Sequence, residues 1–207
     1  MRAAHLRIAL LALWVAFFGW YTSFGGPLRG EEIEEFVTRM EQNGVDPQRI
    51  ALWRGFMESD TGDDFAVVNF IHYKDQPDRI EGVGPDETTE EVMARYTLPF
   101  FARMAPRATH PVVLGSAAHR AVDLWGIEGA EDWTQFGMVR YRSRRDLMEV
   151  ASSVPADASV HSFKTAAIEK TIAFPIDPWF QLGDPRLLLA ALFGMLALAL
   201  PRGRAKR

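Results

Sequence analysis

The stretch FAVVNFIHY, residues Phe65–Tyr73, decides the fold expected for the middle of the chain. It is rich in β-branched and aromatic residues, which favour strands. Its apolar side chains occur at odd and even positions alike, whereas a strand with one face in water alternates apolar and polar residues. The pattern therefore predicts a buried strand.

The sequence after this strand supplies the other elements of an α+β domain over residues 59–177. Thr88 and Glu91 form a capping box that opens a helix carrying Tyr96. A second helix is capped by Ser143 and Asp146, and a short third helix is predicted near residues 160–167. Three further strands are predicted in HPVVL from His110, WTQFGMVRYR from Trp133 and TIAFPI from Thr171. The order βαββαβ predicts a ferredoxin-like antiparallel sheet with helices on one face.

Two helices are predicted ahead of the sheet, as a helical hairpin over residues 31–58. In EEIEEFVTRMEQ the apolar residues recur three and four apart, and the second helix begins with Asp46 as cap and Pro47 in its first position. The run SDTGDD after the hairpin, Ser59–Asp64, lacks the residue order and the glutamate of an EF-hand calcium loop. We therefore expect a solvated turn there.

An uncharged apolar segment, residues 8–28, lies near the N-terminus after a short basic segment, residues 1–7. It has about the length that a helix needs to cross the bilayer core, and Trp20 and Tyr21 fall where interfacial aromatic residues are favoured. We expect a transmembrane helix. The alternative is a cleaved signal peptide, since small residues come after the apolar run.

A second apolar segment, residues 186–201, is followed by a basic segment, residues 202–207. It is short for a membrane span, but it has no polar face, and arginines flank it whose side chains can reach the interface. We expect a second transmembrane helix. Because the basic residues lie outside both segments, both termini are expected in the cytoplasm, with the chain in a bacterial inner membrane and the domain periplasmic or extracellular. The lipid bilayer is thus a predicted partner.

The second face of the predicted sheet also needs a cover. An apolar sheet face in water would form a large exposed patch, which the pairing of two copies across a two-fold axis would remove. We therefore expect a homodimer. The helical hairpin of residues 31–58 is the alternative cover.

These segments carry a resemblance to a known superfamily. VVNFIHY, the helix with Tyr96, FGMVRYRSRRDLMEVAS and TIAFPI resemble the dimeric α+β barrel superfamily over about residues 60–177, most of all a branch of small bacterial proteins of unknown function. The terminal apolar segments depart from its soluble members. The resemblance implies the fold and a dimer. It does not imply one activity, because the superfamily includes monooxygenases, isomerases and haem-handling proteins.

Composition and motifs exclude several classes of function. The net charge of -4, with scattered arginines, gives no basic surface for nucleic acid. The chain has no cysteine, which removes disulfides, thiolate metal sites and cysteine nucleophiles. It contains no P-loop, dinucleotide fingerprint, serine-hydrolase elbow or paired-histidine metal motif. We expect no cofactor and no metal, since a three-histidine site would require folding to gather His110, His119 and His161.

The candidate site consists of single polar residues in apolar contexts. For three of these residues a structural role is the alternative: a structural hydrogen bond for Asn69, a place at the surface or rim for His72, and for Arg140 an ion pair with a carboxylate such as Asp123. The candidates are His72, Tyr96 and Arg140 as catalytic groups, and Asn69 and Tyr141 as ligand contacts.

Three functions are compatible with these features. We expect the domain to bind a small apolar or aromatic molecule at the sheet face, between the two sheets of a dimer. One alternative is a cofactor-independent monooxygenase or isomerase that uses the candidate catalytic groups. The other is a structural or interaction module of the cell envelope.

Overall fold

A computed structural model describes residues 2–153 and 159–201 of the protein. The chain forms two compact units: residues 24–177, called the globular domain, and residues 1–23 with 178–207, called the terminal unit. The elements in chain order are α1 Arg2–Tyr21, α2 Gly30–Gln42, α3 Pro47–Glu58, β1 Phe65–Tyr73, α4 Thr89–Met104, β2 His110–Ser116, β3 Gln135–Tyr141, α5 Arg144–Ala151, α6 Ser159–Ala167, β4 Ile168–Ile176 and α7 Pro185–Ala199.

The sheet of the globular domain has the strand order β2-β3-β1-β4. Every neighbouring pair is antiparallel, and β1 pairs on both sides, with β3 and with β4. The prediction of an α+β domain with a four-stranded antiparallel sheet is therefore confirmed. β4 begins at Ile168, three residues before the predicted TIAFPI run, and so extends its pairing along β1 to Tyr73.

Local sequence signals fix where the helices start. The backbone N–H of Glu91 donates to the Thr88 hydroxyl, and the Glu91 carboxylate accepts from the Thr88 backbone N–H, which confirms the predicted capping box of α4. The side chain of Ser143 accepts from the backbone N–H of Asp146 at the start of α5. The side chain of Asp46 does the same for Arg49 at the start of α3.

The two faces of the sheet have different covers. Odd-numbered β1 residues face the helices: Phe65 lies in a buried cluster with Met104 of α4 and Leu147 of α5. Even-numbered residues face the other way, where the Phe70 ring lies 5.2 Å from that of Phe136. On this second face the described chain leaves apolar side chains in contact with solvent: Ile172 is 39% exposed and Phe174 is 44% exposed.

The leading helices pack on the helical side of the sheet. α2 and α3 share a core cluster with Met148 of α5, and Trp53 and Phe56 of α3 also pack against the cluster around Phe65. Within the described part of the chain the helical hairpin therefore does not cover the second sheet face, and it is not the alternative cover for that face.

The aspartate run between α3 and β1 is only in part the solvated turn that we expected, since Thr61 and Asp63 are exposed whereas Asp60 is not. The Asp60 side chain is 2% exposed, and its carboxylate accepts from the backbone N–H groups of Leu28 and Gly62. It also lies 3.6 Å from the guanidinium of Arg144. Gly62 has a φ of +84°, and an added Cβ would lie 2.5 Å from the backbone of Gly26. The turn therefore anchors the segment before α2 and requires glycine at residue 62.

An ion pair joins the leading helices to the rest of the domain. The Arg145 guanidinium of α5 donates to both carboxylate oxygens of Glu32 in α2, at 2.7 Å and 3.1 Å. These hydrogen bonds, opposed in part by burial, lower the pKa of Glu32 to about 2, and Arg29 adds to the shift.

Because the folded-state pKa of Glu32 lies below its ordinary value of 4.5, the pair stabilises the fold above that value and loses its effect as pH falls towards 2. We expect Glu32→Gln to lower the free energy of unfolding by about 1–2 kcal/mol at pH 7, after allowance for solvent screening. We further expect this difference to shrink between pH 4.5 and pH 2. Urea unfolding followed by tryptophan fluorescence measures the free energy of unfolding at each pH. Glu35→Gln, on the exposed side of α2, is the control, and an equal loss in both variants would contradict the assignment.

The terminal unit consists of α1 and α7, packed antiparallel. Near the start of α1, the Arg7 guanidinium donates to the carbonyls of Ala197 and Leu200 at the end of α7, at 3.0 Å and 2.8 Å. At the start of α7, the Arg186 carbonyl accepts from the indole N–H of Trp14, in the second half of α1, at 3.1 Å. Arg7 therefore satisfies carbonyls that the last turn of a helix leaves unpaired.

The two terminal helices differ in length. Ala3–Tyr21 is 19 residues long with a mean hydropathy of 1.6, and among the described residues it is the one helix long and apolar enough to cross a membrane. α1 ends at Tyr21 rather than at the predicted residue 28, since the next residues leave the helix and Leu28 is buried in the core of the globular domain. α7 has 15 residues and spans about 22 Å, less than the ~30 Å of a bilayer core. The predicted basic segment 202–207 lies outside the described residues.

Candidate functional site

The globular domain has a partly open cavity of about 440 Å³ between its sheet and its helices. Its floor is formed mainly by odd-numbered residues of β1, β3 and β4, with Leu114 of β2 and Ile168 of β4. Its walls are formed by residues of the helices α2 to α6. A volume of this size lies within the range of small-molecule sites, which is about 300–1,000 Å³. The lining includes aromatic, polar and basic side chains: Arg49, Trp53, Asn69, Tyr73, Tyr96, Phe100, Gln135, Tyr141, His161 and Lys164, with Gly137 and Ala173 in the floor.

Aromatic side chains form much of the wall. The ring of Tyr96 stacks on that of Phe100, with centroids 6.1 Å apart, because α4 presents residues four apart on one face. Trp53 of α3 and Tyr141 of β3 also line the cavity, and the Tyr141 ring stacks on Phe65 at 5.2 Å. Flat aromatic walls favour a ligand with an apolar or aromatic body.

The floor has room because of one glycine. Gly137 of β3 lies directly opposite Asn69 of β1, so no side chain from β3 fills the space beside the Asn69 amide. A Cβ at residue 137 would lie 3.2 Å from a methyl group of Leu114. The Asn69 side-chain N–H₂ donates to the carbonyls of Val67 and Gly137 at 3.2 Å and 3.4 Å. The Asn69 amide is therefore held in place and still borders the cavity.

Another polar pair borders the floor. The Tyr73 hydroxyl donates to the side-chain carbonyl of Gln135 at 2.6 Å. Burial raises the pKa of Tyr73, with a smaller contribution from Glu90. Burial also raises the pKa of Tyr96 and of Tyr141 above the ordinary value for a phenol. These tyrosines are therefore neutral hydrogen-bonding groups at neutral pH.

Basic groups from two helices meet at one part of the cavity. His161 and Lys164 lie one helical turn apart on α6, and the Lys164 ammonium lies 5.3 Å from the centre of the Tyr96 ring. The His161 ring packs edge-on against Tyr96, with centroids 6.3 Å apart. Arg49 of α3 reaches the cavity from its exposed rim.

The charges at this end act on one another. Burial lowers the pKa of Lys164, and the nearby Arg49 lowers it further. Burial also lowers the pKa of His161, with added repulsion from Lys164 and Arg49. Both effects favour the neutral form of His161 at pH 7.

A second depression, of about 500 Å³, lies beside the ends of β1 and α4. Its lining is mostly polar, and its groups already bond within the chain: the Glu87 carboxylate accepts from the backbone N–H of Gly84, and the Thr89 hydroxyl donates to the Lys74 carbonyl. It lacks the aromatic walls of the cavity between sheet and helices, so it is a weaker candidate for a ligand.

Three of the five predicted site residues lie around the cavity: Asn69, Tyr96 and Tyr141. His72 does not, because it is an even-numbered residue of β1 and faces away from the helices. Its Nδ1 lies 3.3 Å from the Thr134 hydroxyl, and its Nε2 lies 3.7 Å from the Glu169 carboxylate.

Arg140 also lies outside the cavity, on the second face of the sheet. Its side chain is 1% exposed and donates through Nε and Nη2 to the Asp64 carboxylate, at 3.0 Å and 2.8 Å. Its Nη1 donates to the Ala108 carbonyl at 3.0 Å. Arg140 thus pairs with a carboxylate, as in the structural alternative, and this carboxylate belongs to Asp64. Removing one member of such a pair would leave a buried charge without compensation.

The histidines do not form a metal site. Among the described residues no group of three or more potential ligands is placed to hold a metal ion. His161 lines the cavity, whereas the rings of His110 and His119 contact the backbone carbonyls of the residues next in the chain.

The sequence interpretation missed the basic residues of the cavity, although their spacing is visible. His161 and Lys164 are three apart in α6, and Arg49 and Trp53 are four apart in α3, so each pair shares one helix face. Neither pair matches a known motif. Only the packing of both helices over the same sheet face brings the pairs together.

The comparisons with known proteins give two similar solved structures. One is the RPA0582 protein of unknown function from Rhodopseudomonas palustris, with 19% identity, a TM-score of 0.45, and coverage of 66% of this chain and 95% of that chain. The other is the methylated RPA0582 protein, with 17% identity, a TM-score of 0.47, and coverage of 67% and 95%. No protein-family model matches the chain, and no curated protein matches it.

Proposed function

We propose that the globular domain binds a small apolar or aromatic molecule in the cavity between its sheet and its helices. The observation that carries this proposal is the volume of about 440 Å³ with aromatic walls and a few fixed polar groups. A concave surface of this volume that is lined mainly by apolar and aromatic side chains favours an apolar occupant. The cavity lies on the helical side of the sheet, whereas the sequence suggested the face between two sheets.

A cofactor-independent monooxygenase or isomerase is the second candidate. It is supported by the pairing of Asn69 and Tyr96 with the basic Lys164 and His161 around one cavity, since such enzymes need a group that can move a proton. Two of the predicted catalytic groups, His72 and Arg140, cannot take part, because they lie on the other face of the sheet and not at the cavity. Binding is therefore the better supported function.

The binding proposal is tested with 2-naphthalenemethanol, a neutral aromatic alcohol. We expect the full chain in lipid nanodiscs to bind it, and Ala173→Trp to weaken binding at least tenfold, because an indole at this floor position fills the cavity. Isothermal titration calorimetry measures the affinity against empty nanodiscs. Leu98→Trp is the control, since Leu98 is exposed on α4 and lies outside the cavity. Equal affinity in wild type and Ala173→Trp would contradict the proposal.

The proposed fold is ferredoxin-like, and the domain is proposed to form a homodimer through its second sheet face. The strand order β2-β3-β1-β4 within a βαββαβ chain supports the first part. The exposed apolar side chains of Ile172 and Phe174 support the second, since pairing two copies would bury them.

We expect the full chain in mild detergent to have the mass of a dimer by light scattering. Phe174→Asp is expected to give a monomer that circular dichroism shows to be folded, because 44% of the side chain is exposed in the single chain. Leu98→Asp, a matched change on the helical layer, should leave the dimer intact. A wild-type monomer at all protein concentrations would refute the dimer.

We further propose that α1 and α7 both enter the membrane and that both termini are cytoplasmic. The contact of Arg7 with the end of α7 supports this topology, since it brings the start of one helix to the end of the other. Arg7 and Arg186 then lie at opposite ends of the helix pair, where their side chains can reach the two interfaces. The shortness of α7 is compatible with local thinning of the bilayer.

Reporter fusions test this topology. Alkaline phosphatase fused after residue 207 is expected to be inactive, and green fluorescent protein fused at the same residue to fluoresce, because each folds on only one side of the inner membrane. Phosphatase fused after residue 177, which precedes α7, is the matched control and should be active. Active phosphatase after residue 207 would contradict the topology.

A further inference from the structure

The cavity carries positive charge without a compensating acid. Arg49 and Lys164 line it together with the neutral His161, and no aspartate or glutamate is present among its described lining residues. This is unusual in a chain whose 27 acidic residues outnumber its 23 lysines and arginines. The charge of the cavity therefore differs in sign from the net charge of the protein.

Lys164 lies in an environment that disfavours its charge. Its ammonium contacts the face of the Tyr96 ring, and no carboxylate of the described residues offsets its burial. A partly buried ammonium without a counter-ion is costly, and the lowered pKa of Lys164 reflects that cost together with repulsion by Arg49. The ion pair of Arg49 is a weak one, with the exposed Asp46 carboxylate at 4.0 Å. One anion placed between Lys164 and Arg49 would compensate the buried charge of Lys164 and reduce its repulsion by Arg49.

We propose that Lys164 and Arg49 bind the carboxylate of a small aromatic acid, whose apolar body lies against Tyr96, Phe100 and Trp53. The inference rests on the proposed function, since it names the class of ligand for the same cavity. One ammonium and one guanidinium match a single monoanionic group, the guanidinium through paired N–H donors and the ammonium as a point charge. His161, one turn before Lys164, is placed to add a hydrogen bond to the same group.

The shape of the ligand body is set by the position of the rings. The Lys164 ammonium lies over the Tyr96 ring, and the Tyr96 ring stacks on that of Phe100. The basic group is therefore a direct neighbour of the aromatic wall. A carboxylate attached directly to a flat ring system can therefore meet both features at once. A long flexible acyl chain gains less from such a wall, because it loses more conformational freedom on binding.

The experiment compares 2-naphthoate with 2-naphthalenemethanol, which share a ring system and differ in charge. The full chain in phosphatidylcholine nanodiscs is titrated with each compound by calorimetry, and empty nanodiscs are subtracted. We expect wild type to bind 2-naphthoate at least tenfold more tightly than the alcohol. Lys164→Met is expected to remove this preference, since the ammonium acts on the charged group.

Two further variants make the comparison specific. Arg49→Met should also reduce the preference. Lys170→Met should not, because Lys170 belongs to the second sheet face, where its ammonium lies 5.2 Å from the Trp133 ring centre. Thermal unfolding midpoints close to that of wild type show that each variant is folded.

The outcomes separate the two proposals. Equal affinity of wild type for both compounds, or a preference that survives in both Lys164→Met and Arg49→Met, overturns the carboxylate site and leaves the apolar cavity standing as a binding site. Binding of neither compound overturns both proposals. A preference lost in Lys164→Met and kept in Lys170→Met supports the carboxylate site.

Discussion

The alternation of side chains along β1 is the constraint on which the globular domain depends. Because β1 pairs with β3 on one side and β4 on the other, its odd-numbered residues must meet the helices and its even-numbered residues must face away. Asn69 and Tyr73 thereby reach the cavity, and His72 cannot. The register between β1 and β3 places Gly137 opposite Asn69 and Tyr141 opposite Phe65, so these residues of β3 face the same side of the sheet as their partners. A shift of one residue in this pairing would exchange the cavity floor with the second face.

The helical layer above this floor is held by two kinds of contact. Trp53 and Phe56 pack into the core of the leading helices and into the core beneath α4 and α5, so α3 joins the two clusters. Two arginines of α5 stabilise the same junction: Arg145 binds Glu32, and the buried Arg144 lies beside Asp60. The leading helices are thus part of the cavity wall. Their sequence pattern gives an apolar face but does not say what that face packs against.

The sequence predicted the elements that depend on local signals. The caps at Asp46, Thr88 and Ser143, the apolar run of β1 and the four strands are all readable within a few residues. The sequence also shows which neighbouring strand residues must face opposite sides of the sheet, because side chains alternate along a strand. Arg140 and Tyr141 are adjacent in β3 and must face opposite sides of the sheet, so a single site could not use both. The features that the sequence could not predict depend on tertiary packing. The meeting of Arg49 with Lys164 needs α3 and α6 to pack over one sheet face, although 115 positions separate the two residues in the chain, and no local pattern encodes such a distance.

The contact between Arg7 and Leu200 has a consequence for the order in which the chain assembles. It joins residues separated by 193 positions, and closing a flexible loop of that length costs about 5 kcal/mol of entropy plus a constant. A folded globular domain between the two helices restricts that loop before it closes. During synthesis α1 is made before the globular domain and α7 after it, so α1 has no helical partner until the globular domain has been made. The terminal helix pair is therefore expected to form after the domain, as the final and slowest native contact to be established.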